Sequence, residues 1–253
     1  MRNRPTSFFV LATALALSAC SGSSSPSAEA SAPAASTSAN PSFRAIAGCV
    51  PGCLPAGGTA APREIPAGPY KTQYFLDGML AMNFNGGWTE LEDSTNALAF
   101  ETRTPAPWLL FVFMDPYPVA NHTRVQGIER TPEALVAWMQ TDPALIATPG
   151  PAATVGDGIP ALTVDLEIPT TAIKDTPDCP EICTNYIGFE NGPDEHGLLL
   201  GERTRIYFAP VTYGGVEHLL VVSVEVVDLA DFDAVLPTAQ QIIDTFRMPV
   251  EPA

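Results

Sequence analysis

The chain has 253 residues, 46 % of them hydrophobic, with 28 acidic against 12 basic side chains and a formal charge of −16. This balance excludes a nucleic-acid binder, because an acidic surface repels phosphate, while the apolar content suffices for one full core. A membrane-bound form must be held by something other than a basic face.

In chain order, Arg2 and Arg4 come first, then an apolar run from Phe8 to Leu17, then Leu17-Ser18-Ala19 ahead of Cys20. A positive start, an apolar stretch and small residues are the parts of an export signal, here residues 1–19. The run is too short for the roughly 20 residues of a spanning helix. Leu17-Ser18-Ala19-Cys20 resembles the lipobox of bacterial lipoproteins. The resemblance implies acylation of the Cys20 thiol, cleavage before it, and a lipid-anchored protein on the extracytoplasmic side of the cell membrane. Removal of Arg2 and Arg4 with the signal takes the formal charge from −16 to −18.

Residues 20–66 are dominated by Ser, Ala, Pro, Gly and Thr. Such a segment buries too little apolar surface to offset its ordering entropy and is expected to be a linker with a mean reach on the order of 35–40 Å. One domain is expected over 67–250. Besides Cys20 the chain has Cys49, Cys53, Cys179 and Cys183, in two C-x3-C pairs. An even count in an exported protein points to disulfides, with a four-thiolate zinc site as the alternative. Local bridges 49–53 and 179–183 are favoured by the Pro in each loop, and two crossed pairings stay open.

Within the domain, Leu80, Met82 and Phe84 alternate with Ala81 and Asn83, and Gly86-Gly87 before Trp88 reads as the turn of a first hairpin. Leu98–Thr102 and Trp108–Met114 are further strands around a Pro-rich bend at 104–107. Thr131 caps a helix over about 131–141, with Pro132 first and Leu135, Trp138 and Met139 toward the core. Ala161–Ile168 alternates, placing Leu162, Val164, Leu166 and Ile168 on a core face and Thr163, Asp165 and Glu167 on a wet one. Arg203–Ala209 and Val216–Val227 follow as long strands, the second apolar on both sides and therefore central. Phe232 to Phe246 recurs at helical spacing through Pro237, giving a closing helix over about 230–247.

These elements make an α+β fold, an antiparallel sheet packed by two helices on one face. With its Gly86-Gly87-Trp88 turn and final Ala239–Phe246 helix, the order resembles the PsbP-like α+β module of exported lipoproteins, which implies a binding or assembly role.

No catalytic residue is assigned. The chain lacks a G-x-S-x-G elbow, a phosphate loop, H-E-x-x-H and G-x-G-x-x-G, and no cofactor is expected. The sharpest metal candidate is Asp194-Glu195-His196, carboxylates beside an imidazole in a turn. Asp165 and Glu167 are paired carboxylates on one strand face, and His218 reads as a sheet residue, with His122 and His196 in loops. Trp88, Tyr117 and Tyr213 lie near turns as possible contacts. Two functions follow: a non-catalytic module binding a protein or small molecule, or a metal-dependent or carboxylate hydrolase acting on envelope material.

Overall fold

The described residues of the computed structural model are 62–170, 183–189 and 195–248. All belong to the compact unit Ser42–Ala253. The signal, Cys20, Cys49, Cys53, Cys179, Asp194 and most of the linker lie outside them.

The chain runs through β1 (Arg63–Ile65), β2 (Gly68–Lys71), a 3-10 turn (Phe75–Gly78), β3 (Ala81–Phe84), β4 (Trp88–Asp93), β5 (Ala97–Thr102) and β6 (Trp108–Met114). A short hairpin, β7 (Tyr117–Ala120) and β8 (Thr123–Arg124), precedes α1 (Pro132–Thr141). Then come β9 (Ile146–Pro149), β10 (Ala153–Val155), β11 (Ile159–Glu167), β12 (Cys183–Gly188) and β13 (Glu195–Leu199). β14 (Arg203–Tyr213), β15 (Val216–Val226) and α2 (Phe232–Ile243) complete the fold.

Among the described residues, the main sheet has the order β1-β4-β5-β6-β15-β14-β11-β10, with β9 also on β11, and its neighbours pair antiparallel. The alternation of β6 explains why this sheet is covered on both sides. Trp108, Leu110 and Val112 enter one core with Val222, Val224 and α2, whereas Leu109, Phe111 and Phe113 enter the other with Val221, Phe208 and α1. Period-two alternation makes two apolar faces from one continuous apolar run, and each fully buried side chain contributes roughly 1.5–3 kcal/mol.

The α+β expectation is corrected here. Strands account for 51 % of the described residues and helices for 17 %. The two helices exist, but they sit on opposite faces, and each shares its face with β structure: α2 with the β2–β3 hairpin, α1 with a second sheet ordered β13-β12-β7-β8. The strands of that second sheet are short, carry Pro118, Gly188 and Gly197, and β12 is buried at every position, so none shows the alternation of a half-buried strand. α1 ends at Thr141 as expected, whereas the closing helix is shorter than the expected 230–247, with α2 running Phe232–Ile243.

Gly86-Gly87 turns the chain as expected, at φ 90° and 72°, but does not close a hairpin. β3 pairs with β2 and β4 with β1 and β5, so the glycines move the chain from one layer to another. Phe84 and Trp88 then meet across the core at 5.0 Å between ring centroids. β1 lies at the end of the segment expected to be linker, because Ile65 buries itself opposite Trp88.

α1 begins as its sequence dictates. Thr131 Oγ1 accepts from the Ala134 amide at 3.2 Å, Pro132 opens the helix, and Leu135, Val136, Trp138 and Met139 are buried.

Two tyrosines couple the core to alkaline pH. Burial pushes Tyr207 up to about 12, and burial together with its hydrogen bond to Glu90 raises Tyr70. A raised folded-state value means that the neutral phenol is favoured by the fold. The contribution of Tyr207 is therefore complete below pH 10 and is lost as pH rises through about 12. Unfolding midpoints are expected to fall over this window, and Tyr207→Phe should flatten the fall. Absorbance of tyrosinate at increasing pH, recorded beside denaturant titrations, checks it.

Candidate functional site

β13 separates the residues of the metal candidate. Consecutive strand residues point to opposite faces, so Glu195 and His196 do not converge, and Asp194 lies outside the described residues. Glu195 faces outward, where its Oε2 accepts from Asn185 Nδ2 at 2.8 Å and meets His122 Nδ1 at 2.5 Å. His122 stands in the β7–β8 turn, as expected, beside Asn121, both at positive φ.

His196 is not in a loop. It is 1 % exposed, wedged between the two sheets against the rings of Phe111, Phe113 and Tyr186 at 4.6, 4.8 and 5.5 Å. Its Nε2 hydrogen-bonds Glu225 Oε1, which also accepts from Ser223 Oγ at 3.2 Å. Thr204 Oγ1 extends the chain at 2.7 Å from Ser223 Oγ. Ser223 reaches the carboxylate rather than the imidazole, Thr204 reaches Ser223, and all four groups are buried, so the arrangement is a structural clasp without a route for substrate.

Asp165 is not on a wet face, and Glu167 is only partly exposed. Asp165 is 7 % exposed and takes a bidentate pair from Arg205, Nε at 2.6 Å and Nη2 at 2.8 Å. Glu167 meets Arg203 Nε at 3.1 Å. The register sets each acid directly opposite its arginine, and Arg203 lies 4.2 Å over the Phe232 ring of α2. These carboxylates are occupied in holding β11 to β14. Leu162, expected in the core, is exposed at 38 %.

The convergence of polar groups occurs elsewhere, at the end of the main sheet where β6 stops and the β14–β15 hairpin turns. His218 Nδ1 lies 2.5 Å from Asp115 Oδ2, and the Leu219 amide donates to Asp115 Oδ1 at 2.8 Å. A carboxylate only accepts, so Nδ1 carries the proton and Nε2 is left available. Across the gap, Tyr213 Oη donates to Asp77 Oδ2 at 2.8 Å, which holds the tyrosine above its ordinary phenol value. The Tyr213 and His218 rings are 6.1 Å apart. These residues, with Tyr74, Asn96 and Arg130, line a cleft of about 410 Å³. A second cleft of about 610 Å³ adjoins it, sharing Asp115, His218 and Arg130.

Backbone strain concentrates here. Among the described residues, the non-glycine positions at positive φ are Leu76, Asp77, Asp115 and the turn pair Asn121 and His122. Three of these five line the first cleft. Leu76 at φ 48° is a conformation a bulky side chain avoids, and it persists because Asp93 over-determines the segment. The Asp93 carboxylate accepts from the amides of Gln73, Tyr74 (3.1 Å) and Phe75 (3.0 Å), while Thr72 Oγ1 donates to Phe75 O at 2.9 Å.

No family model and no curated protein matches the chain. Among solved structures it is similar to a protein from Bacteroides thetaiotaomicron at 9 % identity and TM-score 0.36, covering 74 % of this chain and 50 % of that one. It is also similar to LpqN of Mycobacterium tuberculosis, described as involved in cell envelope biogenesis, at 14 % identity and TM-score 0.38, covering 75 % and 91 %. The chain thus spans about half the length of the Bacteroides protein.

Of the aromatics expected near turns, Tyr213 is at the cleft, Tyr117 packs under Arg124 at 4.6 Å, and Trp88 is core at 2 % exposure. Sequence reading passed over Asp77, Asp115 and Arg130. A signal for Asp115 was present, an acid directly before Pro116 at the end of the apolar run 108–114. Gly214-Gly215 marked a hairpin that brings Tyr213 and His218 to one end of the sheet. No helix of the described residues is long and apolar enough to cross a membrane.

Proposed function

We propose that this protein is a lipid-anchored extracytoplasmic binding module whose ligand occupies the cleft at the end of β6, β14 and β15. The observation that supports the reading is the coincidence of strained backbone at Leu76, Asp77 and Asp115 with two hydrogen-bonded acid pairs around one opening. Strain that the surroundings must hold in place is a mark of a shaped site rather than of packing. Anchoring rests on the lipobox, with Cys20 as the lipidated residue and disulfides taking up Cys49, Cys53, Cys179 and Cys183.

A hydrolase is the second reading, favoured by the Asp115-oriented imidazole of His218, which has the form of a general base. Neither cleft presents a serine or cysteine among its described lining residues, and His218 makes no hydrogen bond to the threonines described there, so the imidazole is not paired with a hydroxyl nucleophile. Binding is the simpler use of the geometry.

Native mass spectrometry of protein extracted from envelope membranes tests both halves. The expected spectrum has an acylated N-terminal cysteine, thiols that react only after reduction, and a non-covalent adduct that disappears in Asp115→Ala. Acyl mass on a Cys20→Ala variant would remove the anchor, and an adduct indifferent to Asp115 would remove the cleft.

A further inference from the structure

Building on the cleft as a binding site, we propose that its ligand is a neutral saccharide of at least two sugar units. The lining argues against ionic ligands first. Asp77 and Asp115 repel an anion, as does a chain with a formal charge of −16, and neither is an open cation ligand, since Asp77 is engaged by Tyr213 and Asp115 by His218 and the Leu219 amide. No group of three metal-ligating side chains exists among the described residues. A peptide docking as an extra strand needs an open sheet edge, and these walls are strand ends and turns.

What remains is a lining that carries both donors and acceptors. Asp77 spends one oxygen on Tyr213, and Asp115 spends both, on His218 and the Leu219 amide, each oxygen keeping a further lone pair; Tyr213 donates to Asp77 and keeps its own lone pairs. Asn96 offers both a donor and an acceptor. A sugar hydroxyl donates and accepts at once, so a closely mixed lining satisfies it where a single-sign lining does not. The second requirement of a sugar ring, an aromatic face for its C–H groups, is met by Tyr74, exposed at 53 %, and by Tyr213. The adjoining cleft, with Val216 and Pro210, continues past the Asp115–His218 pair and has room for a second unit.

Isothermal titration calorimetry of the full lipidated chain, in a detergent without a sugar headgroup, tests this with cellobiose, maltose and N,N′-diacetylchitobiose. Spermidine and inorganic phosphate are the ionic comparators. At least one disaccharide is expected to bind in the millimolar range or tighter. Tyr74→Ala, a surface change that leaves the core intact, and Tyr213→Phe should each weaken it by about tenfold. Saccharide binding indifferent to both variants would overturn the assignment. Spermidine or phosphate binding that both variants abolish, with no saccharide bound, would overturn the ligand class while leaving the cleft a binding site. Absence of heat with every probe would also overturn the saccharide, and the adduct from native membranes would then decide the binding reading separately.

Discussion

Glu225→Ala is expected to destabilise the fold by about 3–5 kcal/mol. Glu225 and His196 are each 1 % exposed and joined between the two sheets, so the loss of the carboxylate leaves His196 Nε2 buried without its partner. Ser223 loses its acceptor as well and retains Thr204 alone. Among the described residues neither His196 Nδ1 nor Glu225 Oε2 has a hydrogen-bond partner, so the pair is incompletely satisfied. An apolar replacement of both, His196→Leu with Glu225→Met, should accordingly recover most of the loss, since the surrounding rings of Phe111, Phe113 and Tyr186 accept apolar volume. Guanidinium unfolding of the two single variants and the double variant measures the coupling. Single variants within about 1 kcal/mol of the wild type would show that the pair is not a clasp.

Asp93→Ala is expected to cost about 3–5 kcal/mol, chiefly through backbone amides, with the Tyr70 hydroxyl at 3.2 Å losing an acceptor as well. One carboxylate serves Gln73, Tyr74 and Phe75, and its removal leaves three amides to be satisfied by water while Leu76 and Asp77 remain at φ 48° and 52°. The segment should relax out of the left-handed region, carrying Asp77 away from Tyr213 and opening the cleft. Asp93→Asn keeps one acceptor oxygen and should lose roughly half as much. Amide hydrogen exchange over residues 73–78, together with the unfolding midpoint, checks both. Unchanged protection in Asp93→Ala would show that the turn is held by Thr72 and packing alone.

Both effects belong to contacts distant in sequence. Glu225 reads in the sequence as an acid in an apolar strand, and nothing local says that His196 will meet it from 29 positions away. Asp165 is similar: the alternation of 161–168 is genuine, but its second face is covered because Arg203, Arg205 and Phe232 close over it. The candidate site was legible only in fragments, as Tyr213 near a turn and His218 on a strand. Of its acids, Asp115 carried only the signal of an acid before Pro116 and Asp77 carried none, because both owe their positions to left-handed backbone that Asp93 and Leu219 hold from other strands.

Local chemistry by itself carries the expectation of an export signal and lipobox at Cys20, and it determined the α1 start at Thr131-Pro132, the long strands β6, β14 and β15, and the central place of β15. These follow from short-range features: capping groups, small residues, and apolar runs with their period. Tertiary structure alone decided that the helices take opposite faces, that β12 and β13 form a second sheet, and that Gly86-Gly87 links two layers. A strand's period states which side chains share a face, whereas what covers that face depends on burial and pairing contributed by residues far along the chain.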